Sequence, residues 1–193
     1  MSRLTFIMQK NQLKERSEKM LRRNRVLLIF VPAIFVMLHC SQPALQVTEL
    51  NHYPLDDLTG IITQEGVEID KQISSDGNGS LKITAPESTV VRLFEIGDVD
   101  IENGRLTYQA KLKTEDVEGK VYLEMWCHFP GKGEYFSRGL QSPLTGTTDW
   151  SSEEIPFFLK KGENPDNIKL NLIITGKGTV WLDDIRLIKG PLK

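Results

Sequence analysis

The sequence predicts an all-β domain, a two-sheet antiparallel β-sandwich of the jelly-roll type, behind an N-terminal hydrophobic targeting helix. Two observations predict the sandwich: from about residue 50 apolar and polar residues alternate at the period of a strand, and clusters of Gly, Asn, Asp and Pro separate the alternating runs. A third is that residues 48–193 contain no window with the 3.6-residue period of an amphipathic helix. Many short strands joined by tight turns are typical of a sandwich.

Seven runs of residues, each rich in β-branched and aromatic side chains, are predicted as strands. In chain order they are residues 81–84, 90–94, 106–112, 121–129, 155–159, 168–174 and 180–188. Turn sequences lie between the runs, and most contain glycines that suit a tight connection with positive φ. These turn sequences are residues 76–79, 102–104, 118–119, 130–133, 164–167 and 176–178.

The N-terminal part differs from the rest in charge and hydropathy. Residues 1–25 carry eight Lys or Arg and two Glu, and residues 26–38 carry no charged side chain. A basic segment before an apolar run of about 7–15 residues is typical of a secretory signal, whereas a spanning helix needs about 20. We therefore divide the chain into a basic region (1–25), a hydrophobic signal or anchor segment (26–40), a linker (41–49) and a β-sandwich (50–190). Met1 and Met20 are both candidate starts.

Cys40 directly follows the apolar run, in the segment Met37-Leu38-His39-Cys40-Ser41. This segment resembles the cleavage box of bacterial lipoproteins, in which the cysteine is lipidated and becomes the mature N-terminus. His39 stands where that box has a small residue, and an uncleaved signal anchor is the alternative. Either form would tether residues 41–193 to a membrane on its extracytoplasmic side, in the periplasm or at the cell surface.

Charge and motifs narrow the function classes. Residues 41–193 carry sixteen Lys or Arg against twenty-four Asp or Glu, which argues against nucleic acid as a partner because phosphate binding needs a basic surface. The sequence has no nucleophile elbow, zinc-binding helix, phosphate loop or Cys-x-x-Cys pair. Glu124 and Glu134 could be paired as glycosidase carboxylates, but no spacing rule supports that pairing. The sequence therefore predicts a binding domain with no required cofactor, and not an enzyme.

Three segments of the predicted sandwich resemble carbohydrate-binding modules with the jelly-roll, galactose-binding-like fold. They are residues 76–83 (DGNGSLKI), 147–150 (TTDW) and 176–187 (GKGTVWLDDIRL). The resemblance spans about residues 55–190 and implies the same fold and a non-catalytic binding function with carbohydrate as the ligand. Most of these positions are structural in such modules, so the resemblance carries information on fold more than on the ligand.

The predicted strand at residues 121–129 carries the candidate binding surface. One side reads Val, Leu, Met, Cys and Phe, which we assign to the core together with an inert Cys127 thiol. An aromatic ring beside polar groups on a sheet surface suits a sugar, whose C–H face stacks on the ring. The other side of the strand reads Tyr122, Glu124, Trp126 and His128. If the strand order follows the resembling modules, the same patch also includes Gln109, Asn171 and Arg138.

Two alternatives to this sugar-binding patch remain open. Trp126 could be covered by residues 131–139 and extend the packing, since tryptophan side chains are highly buried on average. The patch could also contact a partner protein, so that the domain would be a structural or interaction domain of an envelope assembly with no glycan ligand.

Asp183 is a candidate metal ligand in the closing strand. It shares parity with Trp181 and Ile185, so we expect this side of the strand to face the core, where an unpaired carboxylate is costly. In the resembling modules an Asp at this place often binds a structural calcium, and Asp56 or Asp57 could supply further oxygen ligands. The metal-free alternative is that Asp183 accepts backbone amide hydrogens and caps a bulge.

Overall fold

Nine β-strands form the part of the chain that the computed structural model describes, residues 46–97 and 99–192. They are β1 (Thr48–Tyr53), β2 (Val67–Asp70), β3 (Ser80–Ala85), β4 (Thr89–Gly97), β5 (Gly104–Phe129), β6 (Gly133–Arg138), β7 (Leu144–Leu159), β8 (Asn167–Ile174) and β9 (Lys177–Gly190). The basic region 1–25, the hydrophobic segment 26–40 and Cys40 lie outside the described residues. Residues 46–97 and 99–192 include no apolar helix of the length that a membrane span requires.

Strand β5 belongs to both layers of the fold. Its first arm, residues 104–115, pairs with β7 and β9, whereas its second arm, residues 121–129, pairs with β6 and β8 and, at Val121, with Leu144 at the start of β7. The chain reverses between the arms, with positive φ at Asp116 and Gly119. Layer A therefore contains β1, β2, β3, β9, the first arm and β7, and layer B contains β4, β8, the second arm and β6. The predicted antiparallel all-β sandwich is confirmed.

The hydrophobic core lies between the two layers and is built from alternate side chains of their strands. The alternation predicted for the second arm is confirmed, because its inward residues are buried: Val121, Leu123, Met125, Cys127 and Phe129. Burial also raises the pKa of the Cys127 thiol to about 12. The thiol is therefore protonated at neutral pH, and Cys127 acts as a small apolar core residue.

The strands that the sequence did not predict are β1, β2, β6 and the first part of β7. Strands β1, β2 and β6 each pair with one neighbouring strand, and their residues are exposed or half-buried. Such edge strands lack the regular apolar side that marks a strand in the sequence. Strand β1 starts at Thr48, so the last two residues of the segment expected as a linker lie in the sandwich.

A β-bulge in β9 breaks the alternation of the closing strand. Asp183 pairs with Lys111, and the next pair along the ladder joins Arg186 to Gln109, so β9 has one extra residue at this point. Asp184 lies in the bulge with a φ of 50°. Because an extra residue reverses the facing of those beyond it, Asp183 lies with Trp181 on the outer side of layer A and does not face the core as predicted, although it is buried, at 1% exposure.

Trp181 is buried, at 3% exposure, on the outer side of layer A. Its indole Nε1–H donates to Oδ2 of Asp70, at 3.0 Å, where β2 ends. The backbone amides of Gln72 and Ile73 donate to the other carboxylate oxygen of Asp70. The indole hydrogen bond is the main cause that lowers the pKa of Asp70 below its ordinary value, and the two amides act in the same direction.

The acid dependence of stability tests this contact. Because the folded pKa of Asp70 is lowered, its hydrogen bonds stabilise the fold above the ordinary value of 3.8 and this contribution is lost as the pH falls through the folded pKa. We expect Trp181→Phe to lower the free energy of unfolding by about 1 kcal/mol at neutral pH. On further acidification, the free energy of unfolding of this variant should fall less than that of the wild type. Urea denaturation between about pH 5 and pH 2 measures both effects.

Trp150→Phe is the matched control for Trp181→Phe, because Trp150 lies in β7 and leaves Asp70 untouched. This variant should keep the acid dependence of the wild type. An acid dependence of Trp181→Phe identical to that of the wild type would contradict the role assigned to the indole N–H.

Candidate functional site

The outer side of layer B brings six of the seven predicted binding residues together. They are Tyr122, Glu124, Trp126 and His128 on β5, Arg138 on β6 and Asn171 on β8. The seventh, Gln109, lies on the first arm in layer A, where it pairs with Arg186 and Glu154. Its inclusion in the patch was therefore wrong, because residues 106–112 and 121–129 form the two arms of one strand and lie in different layers.

Strand register aligns the binding residues in rows across layer B. Glu124 lies opposite Arg138 on one side and opposite Asn171 on the other, and Trp126 lies opposite Phe136 of β6. Neighbouring strands are about 4.8 Å apart, so side chains in one row can contact each other directly. We call Tyr122, Glu124, Trp126, His128, Phe136, Arg138 and Asn171 the face patch.

Glu124 anchors the polar part of the face patch. Glu124 is only 4% exposed, and both of its carboxylate oxygens accept hydrogen bonds. Arg138 donates from Nε to Oε2 at 2.5 Å, and Asn171 donates from Nδ2 to Oε1 at 3.0 Å. Glu124 therefore positions its two neighbours. The Arg138 side chain stays 35% exposed, which leaves its terminal N–H groups accessible to a ligand.

Trp126 and Phe136 form the aromatic part of the face patch. Their ring centroids are 5.0 Å apart and their planes meet at 50°. The guanidinium carbon of Arg138 lies over the Phe136 ring, 4.3 Å from its centroid, and 5.9 Å from the Trp126 centroid. Phe136 is 52% exposed and Trp126 is half-buried. Residues 131–139 thus cover Trp126 only in part and add a second, more exposed ring.

Phe136 is the residue of this surface that the sequence interpretation missed. It lies in residues 131–139, where no strand was predicted, whereas residues 133–138 form β6 and continue the sheet beyond β5. The available signal is short: Glu134, Phe136 and Arg138 alternate with Tyr135 and Ser137 over five residues. The second set carries no aliphatic residue that would mark a core side, so the alternation did not read as a strand.

Two ion pairs lie on the same outer side as the face patch: one joins His128 to Asp166 just before β8, and the other joins Lys169 on β8 to Glu134 on β6 across β5, between Trp126 and His128. The His128 ring nitrogen Nδ1 lies 2.5 Å from Oδ1 of Asp166, and the Lys169 ammonium lies 2.6 Å from Oε1 of Glu134. Glu124 and Glu134 are therefore each held by a cationic side chain, Arg138 and Lys169 respectively. This arrangement lends no support to a glycosidase pairing of the two carboxylates.

Two of the three carboxylates proposed for calcium, those of Asp183 and Asp57, accept hydrogen bonds from backbone amides. Asp183 accepts hydrogen bonds from the backbone amides of Ser75 and Asp184, both at 2.8 Å, as in the metal-free alternative. Burial raises its pKa above the ordinary value for Asp. Asp57 accepts the backbone amide of Thr59, and the Asp56 backbone carbonyl accepts from the Lys71 ammonium, whereas the side-chain oxygen Oδ1 of Asp56 is buried without a hydrogen-bond partner among the described residues. Residues 46–97 and 99–192 contain no cluster of three or more His, Cys, Asp or Glu that could hold a metal, and a structural calcium remains a prediction.

Comparison with known proteins identifies the fold of this chain but no family. No family model and no curated protein matches the chain. Among solved structures, it is similar to the xylan-binding domain CBM22-1 of Xyn10C from Paenibacillus barcinonensis, at 14% identity and a TM-score of 0.55, over 77% of this chain and 98% of that one. The chain has the jelly-roll fold of carbohydrate-binding modules.

Two further solved structures show the same fold. The CBM22-1–CBM22-2 tandem domain of the same Paenibacillus protein has 13% identity and a TM-score of 0.54, over 78% of this chain and 47% of that one. The CBM22-1–GH10 modules of Clostridium thermocellum xylanase 10B, complexed with xylohexaose, have 11% identity and a TM-score of 0.55, over 72% of this chain and 28% of that one. At these identities the likeness concerns the fold alone.

Removal of Arg138 tests how strongly the fold depends on the Glu124 contact. Arg138→Ala leaves one oxygen of a buried carboxylate without its charged partner, and we expect a loss of about 1–3 kcal/mol in the free energy of unfolding. Urea denaturation at pH 7 measures this loss.

Arg92→Ala is the matched control for Arg138→Ala. Arg92 pairs with Glu95 on the same layer, but both side chains are more exposed, at 57% and 36%. A surface pair of this kind contributes about 0–1 kcal/mol. Equal losses in the two arginine variants would show that burial of Glu124 does not set the energy of its contact.

Proposed function

We propose that the β-sandwich is a non-catalytic binding domain that binds carbohydrate on the face patch. The observation that carries this proposal is the pair of a half-exposed Phe136 ring and a partly buried Trp126 ring directly beside the hydrogen-bonded group of Glu124, Arg138 and Asn171. The jelly-roll fold of carbohydrate-binding modules supports it.

The chemistry of the face patch fits a pyranose. The C–H face of a sugar ring stacks on an aromatic ring, and Phe136 leaves about half of its surface open to such a contact. Sugar hydroxyls can accept hydrogen bonds from the remaining Arg138 N–H groups. They can also donate to, or accept from, the His128 ring, whose side chain is 40% exposed. Because Glu124 already fixes Arg138, binding orders little additional side chain.

The dimensions of the face patch favour an oligosaccharide over a single sugar. The face patch lies on three neighbouring strands, β6, β5 and β8, which span about 10 Å, and residues 122–128 span about 20 Å along β5. Xylohexaose is a suitable first ligand for a binding test, since the Paenibacillus domain is described as xylan-binding and the Clostridium modules were solved with xylohexaose.

Binding of neutral oligosaccharides tests the proposal. Xylohexaose and cellohexaose are titrated by calorimetry, with Trp fluorescence as a second readout. Phe136→Ala and Trp126→Ala should each weaken binding about tenfold or more, because each removes a stacking ring. Phe158→Ala is the matched control: Phe158 is equally exposed, at 55%, but lies on β7 in layer A, and its removal should leave binding unchanged.

Two results would overturn the carbohydrate proposal. One is the absence of binding to both hexasaccharides and to a wider glycan array at millimolar concentration. The other is glycan binding that persists unchanged in Phe136→Ala and Trp126→Ala. Either result would favour the alternative that the exposed rings contact a partner protein.

We also propose that the domain is tethered to the extracytoplasmic side of a membrane by lipidated Cys40 or by an uncleaved anchor. The basic residues before an uncharged run, and the cysteine directly after it, support this proposal. Mass spectrometry of the full-length protein from membranes should show either a diacylated N-terminal Cys40 or an intact leader. Cys127→Ser, at a buried core thiol, should not change the result, whereas an unmodified chain found only in the cytoplasmic fraction would contradict tethering.

A further inference from the structure

A second concave site lies at the edge of the sandwich, between β6 in layer B and β7 in layer A. It is a cleft of about 380 Å³, within the range of about 300–1,000 Å³ typical of small-ligand sites. Its aromatic lining comprises Phe129, Tyr135, Phe157 and Phe158. A hydrogen bond from the Ser137 hydroxyl to the Pro156 carbonyl, at 2.8 Å, joins the two edge strands. We call this site the edge cleft.

The aromatic walls of the edge cleft are arranged around Phe129, the last residue of β5. The Tyr135 ring meets Phe129 edge to face, with centroids 5.8 Å apart, and the Phe157 ring lies 6.0 Å away at a tilt of 33°. Phe129 is 6% exposed and fixed by the core, whereas Tyr135 is 51% exposed. The cleft therefore has a rigid base and an open aromatic rim, which suits contact with the C–H groups of a ligand.

Charge distinguishes the edge cleft from a plain apolar groove. Lys132, Lys160 and Glu163 also line it. The Glu163 carboxylate accepts the backbone amide of Lys160 at 2.8 Å and lies 4.0 Å from the Lys132 ammonium. The Lys160 ammonium has no ion pair among the described residues. The three side chains leave one net positive charge beside the aromatic rim, and this charge favours an anionic ligand.

The edge cleft is separate from the face patch although both use β6. Tyr135 and Phe136 are consecutive, and consecutive side chains of a strand point to opposite faces. Phe136 contacts Trp126 on the outer side of layer B, whereas Tyr135 contacts Phe129 on the other side. A ligand in one site therefore does not touch the aromatic ring of the other.

We propose that the edge cleft binds a glycan unit that carries a carboxylate, that is, a uronic acid residue. A sugar ring supplies the C–H face that the Tyr135 and Phe158 rings can contact. Its carboxylate supplies a negatively charged partner for the Lys160 ammonium. A free inorganic anion would leave the aromatic rim unused. A neutral sugar or an apolar peptide would leave the ammonium without a partner.

Trigalacturonic acid and its methyl ester are the probes that test this proposal, because the ester removes the charge and keeps the sugar rings. The acid should bind, and its affinity should fall as sodium chloride is raised from about 0.05 to about 0.5 M, since salt screens the ammonium–carboxylate attraction. The ester should bind more weakly and without this salt dependence. Calorimetry measures both ligands.

Variants assign the binding to the edge cleft. Tyr135→Ala and Phe158→Ala should weaken trigalacturonic acid binding about tenfold each, and Lys160→Met should weaken it about two- to fivefold. Phe136→Ala, the matched aromatic control in the face patch, should not change it. Thermal unfolding of each variant confirms that these exposed substitutions leave the fold intact.

The edge cleft proposal fails if the acid and ester bind equally, if Lys160→Met binds the acid like the wild type, or if the acid does not bind. It also fails if Phe136→Ala abolishes acid binding, because the face patch would then hold the ligand. None of these outcomes affects the carbohydrate proposal for the face patch, whose test uses neutral hexasaccharides and the opposite response of Phe136→Ala and Phe158→Ala.

Discussion

The register of the second arm of β5 between β6 and β8 is the constraint on which the face patch depends. Leu123, Met125 and Cys127 are fully or almost fully buried, so the side chains between them must point away from the core. The same pairing sets Glu124 opposite Arg138. A shift by one residue would bury polar groups and expose the apolar ones, so the free energy of core packing also holds the binding residues in place.

Burial of Glu124 links the face patch to stability. A carboxylate at 4% exposure is tolerated because Arg138 and Asn171 satisfy both of its oxygens. Arg138 also lies over the Phe136 ring, so the group that compensates the buried charge also orients the exposed aromatic surface. A site held in this way is pre-organised, and a ligand that binds there loses less affinity to the ordering of side chains.

Local periodicity explains which parts could be predicted from the sequence. The alternation from Val121 to Phe129 is regular, and both its buried side and its outward side were predicted. Gln109 was misplaced because strand order depends on contacts distant in sequence, which periodicity does not contain. Asp183 was misplaced because the bulge at Asp184 interrupts the period of two. Phe136 was missed because an edge strand with no aliphatic side gives little periodic signal.

Strand β6 gives an aromatic residue to each of the two proposed sites, and among the described strands its ladder hydrogen bonds go to β5 alone. An edge strand with ladder hydrogen bonds on one side only opens at a lower free energy than the centre of a sheet. A ligand on either side of β6 would favour its closed state, and a second ligand would then bind to a strand already ordered. The two sites would therefore be thermodynamically coupled with positive sign, through the opening equilibrium of one short strand and without any contact between the ligands.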